Sequence, residues 1–217
     1  MVEVSGFHWL KGEKKVLTFA NLVTNCLCTN HNSALSKIDS VGGRFFAAFQ
    51  KCCTTDSKPS LNFLFSGHDI ERWLLRTLAA SAVSNNLSAN HQKLESKIHP
   101  KINFAEMLQH PTQWKRPLGM YTMQPVGNTF TQKAALSFGP ILMIDTNEIV
   151  GFLSDIQGFH VSLLAADQNI EGTGLERGFF RPGKLIFKLG DVTHSIQFSW
   201  QDELDHEDVT LGLLPQA

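Results

Sequence analysis

Lys184-Leu-Ile-Phe-Lys-Leu189-Gly190-Asp191-Val192-Thr-His-Ser195-Ile-Gln-Phe-Ser-Trp200 decides how this chain is read. Two runs rich in β-branched and aromatic residues flank Leu189-Gly190-Asp191, a tight-turn signal, so the stretch predicts a hairpin. From Ser195 to Trp200 polar residues alternate with apolar ones, the period of a half-buried strand. Segments of similar composition lie around 117–125, 134–144, 147–154 and 158–165, separated by Gly, Pro, Asn and Asp. From Lys115 onward the chain is therefore expected to form an antiparallel β-rich region.

Upstream of Lys115 the period is helical. Ile70, Trp73, Leu74, Thr77, Leu78 and Ser81 recur at three- and four-residue steps, while Glu71, Arg72 and Arg76 fall off that stripe. This predicts an amphipathic helix, and Ser66 with Asp69 three residues on resembles a capping pair. A second helix is expected from near Val41 to Cys53, capped by Asp39 or Ser40 and presenting Phe45, Phe46 and Phe49 on one face. A short helix is expected at 103–109, and residues 6–25 suit a hairpin turning at Lys11-Gly12-Glu13. The fold class expected is α+β: a helical N-terminal region, 1–115, with a Cys/His turn, and a β-rich region, 116–217. The expected core is Phe45, Phe46, Phe49, Trp73, Leu74, Leu78, Ile141, Phe152, Phe187, Ile196, Phe198 and Trp200. The indoles of Trp73 and Trp200 are read as core anchors.

Composition narrows the function classes. Hydrophobic residues make up 42% of the 217 and charged residues 18%, which is a globular rather than a disordered balance. No apolar run approaches the roughly 18 residues of a membrane helix. The N-terminus lacks the basic lead-in and apolar stretch of a signal peptide, so a cytoplasmic location without membrane attachment is expected. The formal charge of −1 conceals an asymmetry: residues 1–118 hold 14 Lys and Arg against 8 Asp and Glu, and residues 119–217 hold 5 against 12. The basic half could meet an anionic partner, although its cations are scattered rather than clustered.

The block Asn21-Leu-Val-Thr-Asn-Cys26-Leu-Cys28-Thr-Asn-His31-Asn32 concentrates the chemistry-bearing residues. Cys28-x-x-His31 has the spacing of half a tetrahedral zinc site. Its continuation, Ser-Ala-Leu35-Ser36-Lys-Ile-Asp39-Ser-Val-Gly-Gly-Arg44-Phe45-Phe46, together with Glu71-Arg72-Trp73-Leu74-x-x-Thr77, is similar to uncharacterised bacterial proteins of the HNH endonuclease type. The resemblance spans about 60 residues, from Asn21 to Thr77. It implies a treble-clef fold in which Cys28 and His31 are zinc ligands. Lys14, Lys15, Lys37 and Arg44 would then hold phosphates of a nucleic acid.

Family members complete the zinc site with an upstream Cys-x-x-Cys knuckle and activate water with a histidine beside a divalent metal. Here no cysteine precedes Cys26, His8 is the sole upstream histidine, and the knuckle would have to lie before Met1, so a shortened version of that ancestor or a fragment of a longer protein is expected. A closed site needs four ligands, for which Cys26, Cys52 and Cys53 are the remaining candidates. Gly67-His68-Asp69 contains the His-Asp pair of metal-dependent phosphohydrolases, but a helix cap is the preferred reading. The acidic stretch Asp202–Asp208 reads as a hydrated tail. The function expected is that of a non-catalytic binding or interaction protein, acting through edge strands of its β-rich half on a protein partner. The alternative is a nucleic-acid-binding protein or metal-dependent HNH-type endonuclease.

Overall fold

The computed structural model describes residues 29–83, 97–123, 136–143, 145–171 and 174–213, together with residues 2–4, 11, 13, 15–17, 88–89, 92–93 and 129–130. The first elements are strand β1 (Val2–Val4) and strand β2 (Lys15–Leu17), an antiparallel pair whose first strand precedes the stretch 6–25 in which a hairpin is expected, most of which lies outside the described residues. Helix α1 (Thr29–Thr54) follows, then strand β3 (Asn62–Ser66), helix α2 (Gly67–Val83), the short strands β4 (Ser88–Ala89) and β5 (Gln92–Lys93), and helix α3 (Phe104–Gln109). The β-rich part comprises β6 (Gly119–Thr122), β7 (Thr129–Phe130), β8 (Leu136–Leu142), β9 (Ile149–Ile156) and β10 (Phe159–Leu164). It ends with β11 (Phe179–Phe180), β12 (Lys184–Leu189), β13 (Val192–Ser199) and β14 (Asp208–Leu213). The architecture is α+β.

Two five-stranded sheets carry the fold. One, in the order β11-β6-β10-β9-β8, is antiparallel throughout. The other runs β3-β13-β12-β14-β7. Its centre is the β12–β13 hairpin, turning at Gly190 with φ +57°, a left-handed conformation that glycine adopts without steric cost. Around that hairpin β3, β14 and β7 join in parallel. Parallel neighbours need long crossovers. Accordingly β3 comes from the helical half and sets Asn62 opposite Ser195, more than 130 residues away.

Helix α1 begins a dozen residues earlier than the sequence suggests, and Asp39 and Ser40 lie inside it rather than capping it. The hydroxyl of Ser36 donates to the Ser33 carbonyl (2.7 Å) and that of Ser40 to the Ser36 carbonyl (3.0 Å). Serines that satisfy themselves on the preceding turn permit a helix where their intrinsic preference is for caps. Asp39 instead pairs with Arg76 of α2 at 2.6 Å. Ser66 does cap α2, its Oγ accepting the Asp69 amide at 3.2 Å.

The core is one continuous cluster that crosses residue 115. Phe49 of α1 stacks on Phe159 of the first sheet (5.5 Å) and meets Phe187 of the second edge-on (5.1 Å). All twelve expected core residues belong to this cluster, with Phe46, Trp73, Ile141 and Trp200 only partly buried at its margin. The helices approach each other closely because Gly42 of α1 has no side chain: a Cβ there would overlap the Trp73 indole of α2, whereas one on Gly43 would meet nothing. Gly42→Ala should therefore lower stability by about 1–3 kcal/mol through overpacking. Gly43→Ala should be neutral or stabilising by up to about 1 kcal/mol from helix propensity. Urea unfolding of the two variants beside the parent chain measures both.

Candidate functional site

Helix α2 carries Glu71, which the helical stripe placed on its polar side. The structure buries it completely. Glu71 Oε1 accepts the Met120 amide (2.8 Å) and Arg181 Nε (2.9 Å), and Oε2 accepts Arg181 Nη2 at 3.1 Å. Arg181 is 1% exposed and turns its third nitrogen, Nη1, to donate to Asp202 Oδ2 at 2.7 Å. Its guanidinium lies over the rings of Phe180 and Trp200. Gly119, at φ +140°, is required here, since a Cβ would stand 2.7 Å from Glu71 Oε1.

Histidines extend this cluster at both ends. His68 Nε2 accepts the Gln201 amide, so its proton sits on Nδ1, which faces Glu71 Oε2 at 3.3 Å. His206 lies 2.8 Å from Asp202 Oδ1. Asp202 is therefore no part of a hydrated tail. Burial raises its carboxyl, but the hydrogen bonds from Arg181 and the Leu204 amide, with His206 adjacent, outweigh burial and hold it below the usual carboxylate range. Every charged atom of the Glu71–Arg181 pair is committed to another protein group. The cluster thus acts as a joint between α2, the first sheet and the end of β13.

That joint holds one end of β3, because α2 starts at the residue after it and Trp200 packs on Gly67 with no room for a Cβ. The other end is held by His194 of β13, which is fully buried. Its Nδ1 accepts the Leu61 amide (2.9 Å), leaving Nε2–H to donate to the Thr55 carbonyl (2.6 Å). One imidazole thereby clamps both ends of the 55–61 connection from α1 to β3.

Between these two anchors, β3 is an edge strand among the described residues. Its odd residues face β13, as the bond from the Ser195 amide to the Leu61 carbonyl shows, so the ladder's alternation turns the backbone groups of Asn62 and Leu64 outward. The Leu64 side chain is 70% exposed. Phe65 points the other way, edge-on to Phe45 of α1 at 5.6 Å. A groove of about 300 Å³ runs between this edge and α1, lined by Phe63, Leu64 and Phe65 on one wall and Arg44, Ala47, Ala48 and Lys51 on the other. The other edges differ. β8 contains Pro140, which has no amide hydrogen, and a bulge at Ile141–Leu142, while β7 and β11 are two residues long.

The residues singled out from sequence divide accordingly. Lys37 and Arg44 are exposed on α1, and Lys51 continues their row. Seven-residue steps return to nearly the same helix face and advance about 10 Å each. None of the three pairs with a carboxylate among the described residues. Lys15 is exposed on β2, and Lys14, Cys26 and Cys28 lie outside the described residues. Of His31 the backbone is described, in the first turn of α1.

Cys52 and Cys53 cannot complete a zinc site with His31. They sit at the far end of the same uninterrupted helix, 21 and 22 residues away, or about 30 Å at 1.5 Å per residue. Both are buried in the core, where burial pushes the Cys52 thiol up to about 12 and also raises that of Cys53. Among the described residues no three His, Cys, Asp or Glu side chains gather as metal ligands. No described helix is long and apolar enough to cross a membrane.

No family model, curated protein or solved structure matches this chain.

The sequence could not reveal Glu71 and Arg181 as partners, since 110 residues separate them. Removing Arg181 leaves Glu71 buried without its counter-charge, and removing Glu71 leaves the buried Arg181 with Asp202 alone. Glu71→Met and Arg181→Met should each cost about 3–5 kcal/mol, and the double variant Glu71→Met/Arg181→Met much less than their sum. A denaturation cycle at neutral pH checks this. For Asp202 the folded value lies below the unfolded one, so its contribution is present above an unfolded value of about 4 and fades as pH falls through the folded value. Stability of Asp202→Asn, followed by urea midpoints from pH 7 to pH 3, should trail the parent at pH 7 and converge with it in acid.

Proposed function

We propose that the chain is a binding protein that receives an extended segment of a partner at the outer edge of β3. The observation that carries this reading is the row of Asn62 and Leu64 backbone groups, open among the described residues and facing a groove whose opposite wall is helix α1. Strand addition at such an edge draws affinity from main-chain hydrogen bonds and specificity from the pockets between strand and helix. The two anchors described above keep the edge straight before a partner arrives, which reduces the ordering cost of binding.

The row of Lys37, Arg44 and Lys51 favours a second reading, in which α1 lies along a nucleic-acid backbone. Three cations in one line give modest affinity, and this reading leaves the exposed Leu64 and the open strand edge without a role. The HNH-type activity has no assignable base or metal set among the described residues.

Panning a random dodecapeptide library against the intact protein tests the proposal. Enriched peptides should shift the ¹⁵N amide resonances of residues 62–66 and 44–51. Leu64→Pro removes one outward N–H while leaving the β13 side of the ladder intact, and should abolish peptide binding with the circular dichroism spectrum unchanged. Failure to enrich any peptide, or shifts confined to another surface, would overturn the reading.

A further inference from the structure

Resting on the strand-accepting reading above, we infer that the α1–β3 groove selects an acidic segment of a partner protein, in which apolar and carboxylate side chains alternate. A strand added beside β3 presents its side chains to two faces in turn. On one face lies Leu64, 70% exposed and with an apolar surface to cover, so a neighbour there is apolar. On the other face the added side chains pass beneath α1, where the wall is Ala47 and Ala48 between Arg44 and Lys51.

These two cations carry no carboxylate partner among the described residues, and they stand about 10 Å apart along the helix. Side chains on one face of a strand repeat about every 6.6 Å. Two glutamates two residues apart therefore come within reach of both cations, whose long stems absorb the difference. The same charges argue against a second copy of this chain as the occupant. Two β3 edges paired to each other would bring Arg44 and Lys51 against their own counterparts, and like charges at an edge discourage such pairing. A nucleic acid is disfavoured because the outward carbonyls of Asn62 and Leu64 would face phosphate oxygens.

The test uses fluorescein-labelled octapeptides that alternate valine with glutamate, glutamine or lysine, plus an oligothymidylate of similar charge, titrated by fluorescence anisotropy at low salt. The glutamate peptide should bind about tenfold more tightly than the glutamine peptide, as two rim ion pairs permit, and the lysine peptide should not bind. The double variant Arg44→Glu/Lys51→Glu should exchange the preference of the glutamate peptide for the lysine one. Lys37→Glu, one heptad outside the groove, should leave peptide affinity unchanged. Equal binding of glutamate and glutamine peptides, with shifts at 62–66, would overturn the acidic selectivity and leave strand addition standing. Absence of binding by all three peptides would overturn the selectivity, and the library result above then decides strand addition separately. Oligothymidylate binding tighter than any peptide, and weakened by Lys37→Glu as much as by Arg44→Glu, would overturn both in favour of a nucleic-acid face.

Discussion

The ion pair between Glu71 and Arg181 is the constraint on which the remaining structure depends. Both side chains are out of water, and a buried charge is tolerable only when its partner and hydrogen bonds are all in place. To meet that condition α2 must present Glu71 to the first sheet at Met120, and the chain after β11 must turn Arg181 inward. The loop after β13 must also return Asp202 to the guanidinium. Four parts of the chain are thus brought to one point. Gly119 marks how tightly, since a methyl group there would enter the carboxylate's place.

The position of β3 follows from this arrangement. Among the described residues the strand has one lateral neighbour, β13, and its five residues could not keep a fixed register on that pairing alone. Trp200 seated on Gly67 holds the strand where α2 begins, and His194 clamps the connection from α1. The groove between α1 and β3 is accordingly a preformed feature whose walls are set by residues that do not line it. Its charge comes from a separate source, the seven-residue spacing of Arg44 and Lys51 on α1.

Local pattern carried much of this into view. The β12–β13 hairpin, the helix α2 with its Ser66 cap, the short α3 and the strands β6, β8, β9 and β10 are all readable, because turn residues, helical stripes and alternating runs are local signals. β3 and β14 were not. Asn62-Phe-Leu-Phe-Ser66 is a short apolar run whose strand identity depends on a parallel neighbour over 130 residues away. The start of α1 was hidden by serines that look like caps until their hydroxyls are seen to bond the preceding turn. At the site, Arg44 is named from the sequence only as a nucleic-acid contact, together with Lys37, which lies outside the groove. The open edge beside Arg44 was not visible, nor was the distance that a single helix imposes between His31 and the cysteines Cys52 and Cys53.

By itself, then, the sequence determined the class of the fold, most of its elements and the residues of its core, because burial periodicity is written in neighbours three, four or two positions apart. Tertiary structure alone decided which charges are buried and which strand is left at an open edge. Glu71 looks like any solvated helix residue until Arg181 stands against it, and Leu64 like any core residue until the sheet ends beside it. Burial of a charge and exposure of an edge are properties of what the rest of the chain places nearby, and no local window of sequence contains that information.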